Sequence, residues 1–223
     1  MNDNFDEINQ QIRHIGHEIR NGLSICDIYS EIIKKTLIKE NINNPSIENA
    51  VNCIQNAVSL IGNNLLELKS MGSIVQHVCD SDKLIEQSIS MAKIYAREKS
   101  ITFESQLAED VKIYVDEYKL QACLINVIKN AVEAIEKEGF IKISSFVKDD
   151  CLIISVANNG KPISEGEKQI LFDDGFTTKK TGSGVGLYLC KKDLKAQDGD
   201  ISLLVSDKDK TVFEIAVKLF KDL

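Results

Sequence analysis

The stretch Phe172-Asp173-Asp174-Gly175-Phe176-Thr177-Thr178-Lys179-Lys180-Thr181-Gly182-Ser183-Gly184-Val185-Gly186-Leu187 sets three glycines, Gly182, Gly184 and Gly186, at alternate positions before an apolar run. So much Gly, Thr and Lys forms no regular element, and the apolar residues that follow predict a helix over 185–196. A glycine loop that opens a helix leaves backbone amides facing outward with the positive end of the helix behind them. That is the chemistry of an anion site. Thr177, Thr178 and Lys179 add hydroxyls and a cation. The spacing is G-x-G-x-G, which is not the dinucleotide pattern G-x-G-x-x-G, and no G-x-x-x-x-G-K-[ST] occurs. A loop without a ligand is the alternative.

Upstream, Cys151–Ala157 reads as a strand that ends in Asn158-Asn159-Gly160-Lys161-Pro162. Asn-Gly is turn chemistry. At a strand end, Asn158 also offers a carbonyl oxygen and an amide to a nucleobase edge. Further upstream, an apolar helix is predicted over 117–137. It carries Asn126, Asn130 and Glu133 at i, i+4 and i+7, on one face. Two amides and a carboxylate on one stripe are hard oxygen donors of the kind Mg²⁺ takes, or else a solvent-facing polar stripe. A helix over 82–97, strands at 101–105, 111–115 and 140–146, a turn at 148–150 and closing strands at 201–206 and 211–217 complete this half. The mixture predicts an α+β two-layer sandwich with helices on one sheet face.

The first ~75 residues differ in period. Ile8, Ile12, Ile15, Ile19, Gly22, Cys26, Tyr29 and Ile33 step alternately by four and three. Ile47, Val51, Ile54, Val58, Ile61, Leu65 and Leu68 do the same after the break at Asn44-Pro45. Alternating steps average 3.5, the period of a coiled-coil seam. Two such runs predict an all-α helical hairpin. One hairpin leaves its seam half covered, so two chains are expected to pair as a homodimer in a four-helix bundle. The expected domains are 1–76 and 77–223.

His17 lies between the seam positions Ile15 and Ile19, hence off the seam. An exposed neutral imidazole is a competent nucleophile for phosphorus, or simply a solvated polar residue. Glu18 is placed to orient the ring or accept its proton. Asn21 shares the face of His17 and is placed to position a water.

Composition narrows the classes. The 223 residues are 43% hydrophobic and 27% charged, ordinary for a globular chain. A net charge of −7 disfavours nucleic acid or an anionic membrane as main partner. No apolar run reaches the roughly 20 residues of a membrane span, and the acidic N-terminus is no signal peptide. Six scattered cysteines, without CxxC, disfavour zinc and a disulfide framework, and most sit in apolar runs as small hydrophobes. A reducing cytoplasm fits them.

In this order the motifs resemble those of the sensor histidine kinase core. His17–Gly22 resembles the H-box, Asn126–Ala131 the N-box, Asn158–Gly160 the G1 box, Phe172–Lys179 the F-box and Gly182–Leu187 the G2 box. The resemblance spans about residues 8–217. It implies a dimerization and histidine phosphotransfer domain followed by a Bergerat-type ATP-binding domain. It implies Mg²⁺ on Asn130, adenine at Asn158 and phosphates under Gly182, Gly184 and Gly186. Asn126, Glu133, Gly160, Phe172, Thr177, Thr178, Lys179 and Leu187 would complete the nucleotide site. The implied activity is ATP-dependent autophosphorylation of His17 and transfer to an aspartate on a response regulator receiver domain. Asn21 maps onto the position that supports dephosphorylation of that partner. With sixteen residues ahead of His17, a separate sensor protein or a longer chain is expected to supply the signal.

Three positions depart from the family pattern. Gly22 stands where proline is usual, Asn158 where aspartate is usual, and Pro162 in place of the second G1 glycine. The last two favour an alternative of the same fold, a catalytically weak phosphotransferase or scaffold. A second alternative is an ATPase of the chaperone or topoisomerase kind that forms no phosphohistidine.

Overall fold

The computed structural model describes residues 19, 22, 23, 25, 26, 28–70, 73–178 and 184–221. The chain divides into two units, residues 1–73 and 74–223.

In the first unit, a helix described over residues 28–39 (α1) turns through residues 40–44 into α2, Pro45–Ser70. The turn has local causes. Asn41 takes a left-handed φ of 52°, a conformation that asparagine tolerates. Asn44 Oδ1 accepts from the amides of Ser46 and Ile47, and Pro45 fills the first helical position, where no amide is needed. Lys34 Nζ donates to Gln55 Oε1 at 2.6 Å and so ties α1 to α2. Leu37 and Val51 are buried between them. Of the apolar repeat, Tyr29, Ile33, Ile47, Ile54 and Ile61 remain exposed.

The second unit is an α+β sandwich. Its strands are β1 (His77–Asp80), β2 (Ser100–Gln106), β3 (Lys112–Val115), β4 (Glu138–Lys148), β5 (Cys151–Asn158), β6 (Asp200–Ser206) and β7 (Thr211–Lys218). Its helices are α3 (Ser81–Ala92), α4 (Glu117–Ala134), α5 (Glu165–Ile170) and α6 (Gly186–Lys195). A five-stranded sheet runs β2-β4-β5-β7-β6, and β1 pairs with β3 apart from it. Among the described residues only β2–β4 is parallel, and α4 lies in the crossover such a pair requires. Alternation along the strands sends Ile141 and Ile143 of β4, Leu152, Ile154 and Val156 of β5, and Ile215 and Val217 of β7 into the core. Leu120, Leu124 and Ile128 of α4 are fully buried. Each such side chain contributes about 2 kcal/mol by leaving water.

Several elements differ from the reading of the sequence. Helix α4 ends at Ala134 rather than 137, because its last carbonyls have tertiary partners. Lys99 Nζ donates to Val132 O and Ile135 O, and Lys161 N donates to Ala134 O. Strand β1 and helix α5, at four and six residues, were not expected. The cysteines are less buried than their apolar surroundings suggest. Cys123 and Cys190 are buried, whereas Cys26 and Cys53 are exposed. All six are free.

Candidate functional site

Helix α4 is fixed first at its N-terminus. Asp116 is buried, and its Oδ1 accepts from the amides of Tyr118 and Lys119. Its Oδ2 accepts from Val75 N at 2.9 Å. With the helix rotation set, Asn126 and Asn130 are half-buried and Glu133 is exposed. The Asn126 amide donates to Cys190 Sγ on α6 at 3.6 Å.

The close approach of Gly186 defines the other wall. A Cβ at Gly186 would fall 2.6 Å from Asn126 Oδ1 and 2.7 Å from its Nδ2. Only a residue without a side chain lets α6 begin against the Asn126 amide. Val185, just ahead of α6, makes no side-chain cap of its own.

At the far end of α4, Gly160 meets the backbone. A Cβ there would lie 2.6 Å from both the carbonyl carbon and the oxygen of Ala134. Asn159 Oδ1 accepts from Phe140 N at 2.8 Å and pins the turn. Asn158 is the last residue of β5 and belongs to the helix-facing row after Leu152, Ile154 and Val156. It is 2% exposed, and its Nδ2 has no hydrogen-bond partner. Its neighbour in register is Thr211 on β7. Thr211 Oγ1 and Ser206 Oγ share a hydrogen bond of 2.7 Å, and Ser206 Oγ accepts from Ile163 N.

The segment after α5 lies beside α6. Phe172 is half-buried beneath Lys191 Nζ, 5.2 Å from the ring centroid. The same ammonium donates to Ile201 O at 2.7 Å and pairs with Asp200 at 2.5 Å. Gly175 and Gly184 both hold positive φ, 78° and 71°, and Gly184 lies against the Gly175 carbonyl. The two ends of the segment therefore touch. Thr177 and Thr178 are exposed, and Leu187 is half-buried.

The structure thus sets Asn126 against Gly186, Gly160 against the end of α4, and Phe172 beside α6. His17, Glu18, Asn21, Lys179 and Gly182 lie outside the described residues. Several neighbours gave no sequence signal. Thr211 and Ser206 meet only through the β6–β7 pairing, and Cys190 and Lys191 only through the seat of α6. Below the site, Lys119 of α4 and Asp193 of α6 form an ion pair of 3.0 Å with Lys119 buried. Gln197 joins them, donating to Asp193 O and accepting from Asp116 N.

The electrostatics follow the same contacts. Burial raises the Cys123 thiol well above its ordinary value, reinforced by the neighbouring Cys190. Partial burial pushes the Asp200 carboxyl upward, but hydrogen bonds from Lys191 and Lys195 outweigh it and leave the group below its ordinary value. Among the described residues, no cluster of three His, Cys, Asp or Glu side chains is placed to hold a metal. The hard donor types along this stripe of α4 are the Asn126 and Asn130 amides and the Glu133 carboxylate. They suit Mg²⁺ that takes most of its ligands from phosphate and water.

Residues 115–221 match the family described as histidine kinase-, DNA gyrase B- and HSP90-like ATPase. Sporulation kinase B of Bacillus subtilis is 27% identical over 210 residues, which cover 94% of this chain and 49% of that protein. Signal transduction histidine-protein kinase AtoS of Escherichia coli is 27% identical over 84% of this chain and 31% of its own length. The solved catalytic domain of histidine kinase ThkA superposes with a TM-score of 0.58 at 29% identity, covering 66% of this chain and 95% of that one. The chain spans about half the length, or less, of these curated relatives.

Proposed function

From the premise that this chain carries a histidine kinase catalytic core, we propose that it binds ATP·Mg²⁺ in its second unit, phosphorylates its own His17 and passes the phosphoryl group to an aspartate of a response regulator. The observation that carries this reading is the seating of Gly186 against Asn126. It sets a glycine-opened helix beside a stripe of hard oxygen donors, with a base-reading amide at the end of the adjoining strand.

In this proposal, Asn130 holds the metal, with Asn126 and Glu133 beside it. A Mg²⁺ ion held there would supply positive charge against the phosphates. Gly160 lets the chain close on α4, and Asn158 reads the base. Thr177, Thr178, Lys179 and the amides of 182–187 take the phosphates. Phosphoryl transfer asks for positioning and charge stabilisation more than covalent chemistry from the protein. His17 supplies the nucleophile, Glu18 orients it or accepts its proton, and Asn21 positions the water that would dephosphorylate the regulator.

The first unit is proposed as a hairpin that pairs with a second copy in a four-helix bundle. The exposed Tyr29, Ile33, Ile47, Ile54 and Ile61 support that, since apolar repeats at this spacing are covered by a partner helix. A separate sensor protein, or a longer chain of which this is the core, is the proposed source of input. A reducing cytoplasm is the proposed compartment, on the scattered spacing of the six cysteines.

A catalytically weak phosphotransferase or scaffold is the second reading, favoured by Asn158 and Pro162 at the base-reading turn. A calorimetric titration with ATP, with and without Mg²⁺, separates the two. Binding strengthened by Mg²⁺ and weakened in Asn130→Ala is expected for the kinase. No binding in either condition supports the scaffold.

A further inference from the structure

Asn158, proposed above to read the base, is a neutral amide. Its side chain is nine-tenths buried or more, and its Nδ2 donates to nothing in the protein. Buried amides almost always find partners, so an orphaned donor at the end of a core-facing row is placed for something that arrives. Its register neighbour on β7 is uncharged. Thr211 stands beside it in register, and Thr211 and Ser206 satisfy each other.

A carboxylate presents two acceptors, whereas an amide presents one acceptor and one donor on the same edge. Against a 6-aminopurine, Oδ1 accepts from the exocyclic amine and Nδ2 donates to N1. Against a 6-oxopurine, a half-turn of the amide lets Nδ2 donate to O6 while Oδ1 accepts from N1–H. Both pairings use two hydrogen bonds, and the half-turn exchanges atoms of nearly equal size. A carboxylate lacks the donor that N1 of the first base and O6 of the second each require, so on this edge it makes only one of the two hydrogen bonds with either base.

We propose that this nucleotide site takes 6-oxopurine nucleotides, of the inosine and guanosine kind, as well as adenine nucleotides, with Asn158 as the residue that admits both. The proposal rests on the reading of the second unit as a nucleotide-binding domain.

The test is calorimetric titration of the full chain with Mg·ADP and Mg·IDP, two ligands that differ only at position 6 and the N1 proton. Affinities within about fivefold of each other are expected. In Asn158→Asp, both ligands should bind about tenfold more weakly, because with either base one of the two hydrogen bonds becomes an acceptor facing an acceptor. Mg·IDP binding more than about fivefold weaker than Mg·ADP in the wild-type chain overturns the proposal, whether or not the variant folds. If neither ligand binds, the nucleotide-domain reading itself has failed.

Discussion

Gly186 lies so close to Asn126 that a single methyl group on it would displace the Asn126 amide. The contact joins the first residue of α6 to the middle of α4, across the space assigned to phosphate. The atoms in the way belong to the end of a side chain and not to backbone, so the helices need not move apart. Gly186→Ala is therefore expected to change thermal stability by less than about 1 kcal/mol while weakening ATP binding roughly tenfold. Paired melting and titration measurements check it. Equal affinity in wild type and variant would show that Asn126 takes no part in binding.

Gly160 makes the opposite case. Its missing Cβ would meet the Ala134 backbone, which cannot swing aside, and the Lys161–Ala134 hydrogen bond fixes the spacing. Gly160→Ala should cost about 1–3 kcal/mol in folding stability before any effect on ligand. Denaturant titration reads this directly, and a midpoint unchanged from wild type would contradict it.

Much of this was legible in the sequence for physical reasons. The apolar run of α4 and the short apolar runs of β4, β5 and β7 follow from burial in one core, which leaves a trace in composition. The end of α4 was not legible, since Lys99 and Lys161 reach its carbonyls from distant parts of the chain. The same holds for the pairing of Ser206 with Thr211, which depends on the β6–β7 register. Asn158 was visible as a candidate base reader. Its unpartnered donor was not, because hydrogen-bond satisfaction is a property of the folded neighbourhood.

The Lys119–Asp193 pair ties α4 to α6 beneath the site, with the ammonium nearly out of solvent. Asp193→Ala removes the charge that offsets this burial and should destabilise the second unit by about 3 kcal/mol. Adding Lys119→Met to that variant should recover most of the loss, because the buried ammonium is then replaced by an apolar chain of similar length. A double variant no more stable than Asp193→Ala would count against this account.

Acid sensitivity follows from the depressed carboxyls. Asp80 is held below its ordinary value by hydrogen bonds from Lys112 and then Lys83, and Asp200 by its lysine partners against the effect of burial. Folding therefore favours their ionised forms. Their contribution is present above the ordinary carboxylate range and is lost as pH falls through the folded-state values. Melting temperature should fall as pH drops below about 4. The fall should be shallower in Asp200→Asn, and curves of identical steepness would count against the assignment.

The most direct measurement is incubation of the full chain with γ-labelled ATP and Mg²⁺, followed by acid and alkali treatment of the labelled protein. Acid-labile, alkali-stable label on the wild type, absent from both His17→Ala and Asn130→Ala, is the expected result. Label that persists in His17→Ala, or a wild type that binds ATP yet never becomes labelled, would contradict transfer from this nucleotide site to His17.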